Sequence, residues 1–365
     1  MYNSNDLEWE KIDGGVLLMK VFSTTGRKQE TYQVEMNYSL LWECALGIAA
    51  ITNERLLDSL DQPMSYWKNV RTNLSQNLQA QLDYVEANNT WKALLQLLHQ
   101  QDFASLDVFT EYINKLTERE LIYQCIPFIS ESHQPIREQA AARSREAIEQ
   151  LKEATKDNPF FPTYISFICQ VDSQQLKQHL ITVMSGWYEA VIEPDREKLT
   201  SILQTDVSIK EKMRQKMNPE EFVEWATGGI RYTPEPSVHK VLLIPQYIYR
   251  PWNITADIEG TKVYYYPVSN ESISPSDKYM PSNFLVLKHK ALGDEVRLRM
   301  VKLLFEQSRT LQDITEKLEM GKSTIHHHLK ILRSAQLVGI EDGKYVLKRS
   351  AITSLAKELE QYIQQ

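Results

Sequence analysis

The chain has 365 residues, of which 42% are hydrophobic and 24% are charged, and its formal net charge is −7. This length predicts two or three folding units with hydrophobic cores of ordinary size, which excludes a lone small DNA-binding domain. The N-terminus lacks the pattern of a signal peptide, no apolar run reaches membrane-spanning length, and the three cysteines form no motif. We therefore expect a reduced, cytoplasmic protein that does not enter membranes.

Charge is distributed unevenly along the chain. From Phe284 to the end there are 14 Lys and Arg against 10 Asp and Glu, whereas the preceding residues contain 27 against 38. A segment of net charge +4 on a body of net charge −11 is consistent with contact to nucleic acid at one end only. An imbalance of this size also arises by chance, so charge alone leaves the question open.

The body, residues 1–282, is predicted to be mainly helical. It begins with a predicted β-hairpin, in which residues 15–21 and 31–36 alternate loosely around a turn at 24–27. Ser39 is placed to cap the first helix. Further amphipathic helices are predicted at 67–87, 91–99, 107–116, 135–156 and 172–191, and Asn218-Pro219 starts another that Gly228-Gly229 ends.

Residues 238–267 are rich in β-branched residues and tyrosine, which predicts a small sheet beside the helices. Pro245, Pro251 and Pro267 predict that its strands are edge strands or interrupted ones. Residues 268–282, rich in Ser, Asn and Pro, are predicted to be a linker. The predicted fold class is mainly α with small β elements (α+β): a helical body, then a second domain at 283–365.

Aromatic residues of the body are candidates for the walls of a ligand pocket, because rings supply contact area while their polar tips orient a ligand. Two nearby arginines could pair with an acidic ligand. The alternative for each residue, a place in the core or on the surface, is the commoner one. The candidate effector-binding residues are Trp187, Trp225, Arg231, Tyr247, Arg250 and Trp252.

The second domain begins with patterns of a helix-turn-helix. Asp294 can cap a helix whose apolar stripe, Leu298, Val301, Leu304 and Phe305, would cover the motif from behind. Thr310 and Asp313 match a capping box that starts the next helix, and Gly321 breaks it in a tight turn. Ser323 is placed to cap the helix that follows.

That following helix, 322–333, has the pattern of a DNA-reading helix. Ile325, Leu329 and Leu332 recur at helical spacing and form an apolar seam, while polar and basic residues cover the remaining surface. A hairpin with Asp342-Gly343 at its turn follows and forms a wing. The predicted DNA-binding residues are Lys322, Ser323, Thr324, His326, His327, Lys330 and Arg333 on the helix and Lys344 and Tyr345 on the wing.

Three consecutive histidines also suggest a metal site. Neighbours on a helix point about 100° apart, however, whereas zinc-binding pairs on helices use i, i+4 spacing. His326 and His327 fit contact with bases or phosphates better, and His328 lies closer to the apolar seam, where it is expected to be partly buried. We therefore expect no metal and no other cofactor.

The Ala291–Met300 run (Ala-Leu-Gly-Asp-Glu-Val-Arg-Leu-Arg-Met), the Ser323–Lys330 run (Ser-Thr-Ile-His-His-His-Leu-Lys) and Leu337-Val338 resemble the ArsR-type winged-helix repressors. The resemblance covers the last quarter of the chain. It implies a dimeric, effector-responsive repressor built from four helices, a β-hairpin and a fifth helix. The metal-ligand positions of many members, on the first helix of the motif and on the last helix, have no Cys or His here. The domain order also resembles longer ArsR-type regulators with an N-terminal domain of unassigned function.

The last predicted helix, 350–363, carries an apolar stripe suited to pairing with its twin across a two-fold axis; its predicted dimerisation residues are Leu355, Leu359 and Ile363. We expect a homodimeric transcriptional repressor that binds double-stranded DNA and whose body senses a small molecule. The alternative is a protein-interaction module that uses the winged helix only to dimerise. Enzyme activity is disfavoured, since the chain contains no G-x-S-x-G, Walker, G-x-G-x-x-G or H-E-x-x-H motif.

Overall fold

The computed structural model describes residues 8–11, 17–20, 32–277, 279–341 and 343–364. Strands β1 (Glu8–Lys11) and β2 (Leu17–Lys20) pair antiparallel and belong to a different compact unit from residues 32–365. The predicted pairing of 15–21 with 31–36 is wrong, because β2 pairs with β1 and residues 33–36 join a sheet of the body. The predicted turn at 24–27 lies outside the described residues.

Helices make up most of the body, as predicted. Ser39 caps the first of them, its Oγ accepting a hydrogen bond from the Leu41 N–H at 3.1 Å. Asn218 and Glu221 form a capping box at the start of the last. The helices are α1 (Leu40–Ile51), α2 (Glu54–Leu57), α3 (Met64–Asn73), α4 (Gln76–Asn88), α5 (Trp91–Leu98), α6 (Leu106–Lys115), α7 (Glu118–Cys125), α8 (Gln134–Ala141), α9 (Arg145–Ala154), α10 (Phe161–Gln170), α11 (Ser173–Trp187), α12 (Arg196–Arg214) and α13 (Pro219–Ala226).

Two stretches that are predicted as single helices each form two helices in the structure. The stretch 67–87 breaks between α3 and α4, where Ser75 Oγ accepts from the Leu78 N–H at 3.2 Å. The stretch 135–156 breaks between α8 and α9, where Arg143 adopts a φ of 62° and Ser144 caps α9. A serine that caps the next helix ends the preceding one, and apolar periodicity alone does not reveal such a break.

The predicted sheet forms from four strands in the order β3 (Gln33–Met36), β4 (Lys240–Gln246), β6 (Thr261–Pro267) and β5 (Ile254–Ile258). β3 and β6 both run parallel to β4, and β5 is antiparallel to β6. One face, which includes Ile244 and Tyr265, packs on the helical core, and the other, which includes Val241 and Tyr264, packs on α13 residues. Burial on both faces explains the continuous apolar run of β4.

Pro245 does not place β4 at an edge, because β4 lies between β3 and β6. The pairing of β3 with β4 ends at Leu243, so Pro245 lies on the part of β4 that has β6 alone as a partner. At that position no strand of the described residues lies on the β3 side of β4, so the N–H that proline lacks is not needed for a hydrogen bond on that side.

Residues 32–365 form one compact unit, within which the predicted second domain has its own hydrophobic core, containing Met300, Ile314, Leu329 and Leu347. Ser282 caps its first helix through the Leu285 N–H at 3.3 Å. The elements are α15 (Asn283–Leu292), α16 (Glu295–Glu306), α17 (Leu311–Leu318), α18 (Lys322–Ser334), β7 (Val338–Glu341), β8 (Lys344–Leu347), α19 (Arg349–Thr353) and α20 (Leu355–Gln364), and the short α14 (Asn270–Ile273) lies in the predicted linker. The chain is thus α+β with a C-terminal winged helix, as predicted. Within the described ranges, no helix is long and apolar enough to cross a membrane.

A buried carboxylate joins the sheet and the linker to α12. Asp206 is 0% exposed, and its oxygens accept hydrogen bonds from the Lys210 ammonium at 2.8 and 2.9 Å and the Tyr266 hydroxyl at 2.9 Å. The Ser269 N–H at 2.8 Å and the Ser272 hydroxyl at 2.9 Å also donate hydrogen bonds to the Asp206 carboxylate. Burial raises the pKa of Asp206, but Lys210 and the hydrogen bonds outweigh it and hold the pKa below its ordinary value. The predicted linker is therefore anchored at its start.

Replacing Asp206 with Ala should lower the free energy of unfolding by about 3–5 kcal/mol, because it leaves the Lys210 ammonium buried without a partner. Urea denaturation followed by circular dichroism measures the loss. Asp257→Ala is the control, since Asp257 forms an exposed ion pair with Lys262 at 2.7 Å and its loss should cost less than about 1 kcal/mol. If both variants lost equally little free energy of unfolding, Asp206 would not be the buried partner that Lys210 requires.

Candidate nucleic-acid interface

A helix-turn-helix is present where the sequence predicts it. α17 begins with a capping box, in which Thr310 Oγ1 accepts from the Asp313 N–H at 3.2 Å and Asp313 Oδ2 accepts from the Thr310 N–H at 2.9 Å. The bond from the Thr310 backbone lowers the pKa of Asp313. Glu319, with a φ of 54°, ends α17, and the chain then turns into α18. The predicted cap by Ser323 is wrong, because Gly321 is the N-cap residue and Ser323 lies inside the first turn.

The second helix of the motif, α18, has one buried side. Ile325, Leu329 and Leu332 are buried in the core of the winged helix, as their spacing predicts. Most of the polar residues around the rest of α18 are exposed. The helix is thus anchored along one seam and presents polar and basic groups along the opposite side, which is the arrangement of a helix that enters a major groove.

Most of the predicted DNA-binding side chains are on the surface, and their contact with DNA remains a prediction. Lys330 is half-buried, and its Nζ lies 3.4 Å from the backbone oxygen of Arg55 in α2. The exposed residues are Lys322, Ser323, Thr324, His326, His327 and Arg333 on α18 and Lys344 on the wing.

Tyr345 does not fit its predicted role on the wing. Its side chain is 9% exposed and lies in the core of the winged helix, and its backbone exchanges hydrogen bonds with Arg309 at 2.8 and 3.1 Å. Side chains of a strand alternate between its two faces, so the position that follows the exposed Lys344 points inward. Of the two predicted wing contacts, Lys344 alone faces solvent.

The three histidines of α18 do not converge. His326 and His327 are exposed, whereas His328 turns toward the start of α16, where its Nδ1 lies 3.8 Å from Asp294 Oδ1 and 3.5 Å from Arg297 Nη1. Burial lowers the pKa of His328, against the opposing effect of Asp294. The predicted partial burial of His328 is confirmed.

The predicted stripe on α16 covers the motif only in part. Met300 and Leu304 are buried and Val301 is half-buried, but Leu298 is 50% exposed and Phe305 is 55% exposed. The inward face of α16 is therefore rotated toward Met300, a residue outside the predicted stripe. The outer residues leave an apolar strip on the surface of the domain.

The last helix, α20, is attached to α15 along one side. Lys288 Nζ donates to the Glu358 carboxylate at 2.8 and 2.9 Å, and Leu355 is half-buried. Farther along the same apolar stripe, Leu359 is 37% exposed and Ile363 is 71% exposed. Two of the three predicted dimerisation residues are thus available to a second copy, and dimerisation itself remains a prediction.

The structure does not bring all six candidate effector residues together. Trp187 is fully buried in the helical core, and Trp225 and Arg231 lie at α13, where Arg231 pairs with Glu224 at 3.0 Å. The remaining three surround the connection between α2 and α3. These contacts join Tyr247 to Gln62 at 3.3 Å, Arg250 to Asp61 at 3.1 Å and Trp252 to Ser59 at 3.0 Å.

A cavity of about 620 Å³ lies elsewhere, between the sheet and helices α1, α5 and α12. Trp42 and Leu98 contribute apolar wall, and Thr261 contributes a hydroxyl. Charged pairs line it as well, Lys240 with Glu35 at 3.0 Å and Arg214 with Glu211 at 2.9 Å. None of the six candidate effector residues lines this cavity. Local sequence patterns do not reveal this cavity, because the residues that line it come from segments about 200 residues apart in the sequence.

Sequence reasoning also missed the residues through which the body touches the winged helix. One contact joins Lys330 to Arg55, and another joins Lys348 Nζ to the backbone oxygen of Gly229 at 2.8 Å. In the sequence, the pair Gly228-Gly229 predicts the end of a helix. Adjacent glycines also allow close approach of a backbone to another element.

Comparison with known proteins identifies part of this region. Residues 294–339 match the family model described as bacterial regulatory protein, arsR family, from the N-cap of α16 into β7. No curated protein and no solved structure matches the chain. The match leaves the residues before 294 without a family. The C-terminal region is therefore an ArsR-family helix-turn-helix in a winged helix, a module of DNA-binding transcriptional regulators.

Proposed function

We propose that this protein is a homodimeric transcriptional repressor that binds double-stranded DNA through α18 and releases it when the body binds a small molecule. The observation that supports DNA binding best is α18 itself, with its apolar seam buried and its basic and imidazole groups exposed within the family match. The role is that of a binding protein without a catalytic step, acting in the cytoplasm where it meets chromosomal DNA.

The dimer of this proposal forms through the outer side of α20. Leu359 and Ile363 lie one turn apart there, and a two-fold axis would bring each against its counterpart. Two copies of α18 would then face successive major grooves about 34 Å apart. His326 and His327 lie near the helix N-terminus, where recognition helices contact base edges, and Arg333 lies where they contact the backbone.

The small-molecule site of this proposal is the cavity between the sheet and α12. Its volume of about 620 Å³ lies in the range of metabolite pockets. Trp42 and Leu98 supply apolar contact, and the charged groups of Arg214 and Lys240 supply polar recognition. This location replaces the scattered aromatic set as the candidate effector site.

Fluorescence anisotropy with labelled DNA from upstream of the protein's own gene tests DNA binding, with scrambled DNA as control and a salt series. We expect preferential binding to the upstream DNA that weakens as salt rises, because neutralised phosphates release counterions. Failure to bind any duplex at low salt would favour the protein-interaction alternative.

Two substitutions on α18 separate base reading from phosphate contact. His327→Ala should cost roughly 1–3 kcal/mol of binding and relax specificity if His327 reads a base. Arg333→Gln should instead weaken binding to all sequences alike and reduce the salt slope by about one ion. If both variants bind like the wild type, the proposed docking of α18 is wrong.

Ile363→Glu should dissociate the dimer, because it places a charge at the centre of the proposed apolar contact. Sedimentation velocity measures the shift from dimer to monomer. Leu298→Glu is the matched control, since Leu298 is an exposed aliphatic residue like Ile363 but lies on α16. A dimer that survives Ile363→Glu and dissociates with Leu298→Glu would move the interface to α16.

A further inference from the structure

The recognition helix is not free of the body. Lys330 is half-buried although residues on the same face, His326 and His327 one turn before it and Arg333 one turn after it, are exposed. Its ammonium lies 3.4 Å from the backbone oxygen of Arg55 in α2. The body therefore contacts the middle of the face that α18 would turn toward DNA.

A duplex docked on this face would compete with α2 for the Lys330 ammonium. A helix in the major groove, which is about 12 Å wide, has a phosphate backbone on each side. With α2 against the Lys330 ammonium, part of the space that a duplex would fill is occupied by protein.

A second contact fixes the body against the wing. Lys348 Nζ donates to the backbone oxygen of Gly229 and to Gln336 Oε1, both at 2.8 Å. Phe284 packs so closely on Gly228 that a Cβ there would lie 2.1 Å from its ring. Gly228 also has a φ of 74°, a conformation that favours glycine. The two glycines let this loop approach α15 and β8 closely.

A third contact links α2 to the start of the winged helix. Arg250 pairs with Asp61 at 3.1 Å and donates to Asn270 Oδ1, and Asn270 Nδ2 donates to the Pro281 oxygen at 2.9 Å. Pro281 immediately precedes Ser282, the cap of α15. The connection after α2 therefore holds the linker, while α2 itself touches the recognition helix.

We propose that this arrangement is a closed, self-inhibited state, in which α2 and the Gly228-Gly229 loop hold the winged helix so that DNA cannot reach α18. Binding to DNA then requires the body to separate from α18, and the apparent affinity falls with the fraction of open molecules. The inference rests on the proposed DNA-binding function and adds to it a specific inhibitory surface.

Lys348→Met tests the closed state, because methionine keeps the apolar stem but removes both hydrogen bonds. In the full chain, this variant should bind a duplex of about 30 base pairs, long enough for two half-sites, roughly tenfold more tightly than the wild type. Lys302→Met is the control, since exposed Lys302 on α16 carries the same charge and its loss should weaken binding by less than about threefold. Phe284→Ala, which removes the ring on Gly228, should also tighten binding.

Hydrogen exchange of the wild-type chain provides a readout that does not depend on substitution. Saturating duplex should speed exchange at 53–62 and 227–231 if these segments separate from the winged helix. Protection of 53–62 by DNA would overturn the proposal, because α2 would then be part of the DNA interface. Equal or weaker binding by both Lys348→Met and Phe284→Ala would overturn it too. If no chain binds duplex at low salt, DNA binding itself fails, and the inhibition with it.

The closed state should also depend on pH. Burial lowers the pKa of Lys348 to about 8, and an opened lysine returns to about 10.4. The charged groups around it are Glu224, Arg231, Glu341 and Lys288. Below about pH 8 Lys348 is protonated in both states, and in the proposed closed state its hydrogen bonds to Gly229 and Gln336 outweigh the cost of burying the charge.

As the pH rises from about 8 to about 10, Lys348 loses its proton in the closed state first, so closing becomes more favourable. DNA affinity of the wild type should therefore fall over this interval and change less in Lys348→Met. Anisotropy titrations with the same duplex at constant ionic strength measure it. An identical pH profile in both proteins would show that Lys348 does not couple closing to proton release.

Discussion

The position of the winged helix depends on one buried carboxylate. Asp206 accepts hydrogen bonds from a strand residue, Tyr266, and from two linker residues, Ser269 and Ser272, while Lys210 neutralises its charge. All of these donors converge on a side chain without solvent exposure, so none can be replaced by water. The linker thereby leaves α12 in a defined direction, and the polar contacts that follow, through Asn270 and Pro281, continue that constraint to α15.

Electrostatics give the body and the winged helix opposite roles. The residues before Phe284 carry a net charge of −11 and those after it a net charge of +4. In an extended chain this asymmetry would only restrict DNA contact to one end. In the folded chain, the Lys330 ammonium of α18 lies 3.4 Å from the backbone oxygen of Arg55 in α2, so one cation of the predicted DNA face has a polar partner within the protein. Salt weakens both interactions, and their balance decides which the helix makes.

Local patterns in the sequence were sufficient for the winged helix. The Thr310 capping box, the seam of Ile325 and Leu329, and the Asp342-Gly343 hairpin signal each depend on neighbours within a few residues, and the helices and strands formed as predicted. Tyr345 was misplaced because alternation along β8 shows which residues share a face but not which face is buried. The pairing of β3 with β4, the cavity beneath it and the contact of Arg55 with Lys330 join segments about 200 residues or more apart. No local pattern encodes such contacts, and they are the ones on which regulation would depend.

A small molecule can shift a closed state only if it binds the open and closed forms with different affinity. The structure provides a physical route for such a difference in α12. Its C-terminal residues Glu211 and Arg214 line the cavity, and Asp206, one to two turns earlier on the same helix, holds the linker. A helix is stiff over this length, so a ligand that shifted Arg214 would also shift Asp206 and, through it, Ser269. Because the linker also bears Asn270, which bonds to Arg250, the same shift would reach the connection that follows α2. In the proposed repressor, a ligand that binds the closed form better would act through α12 to favour that form and so withdraw α18 from DNA.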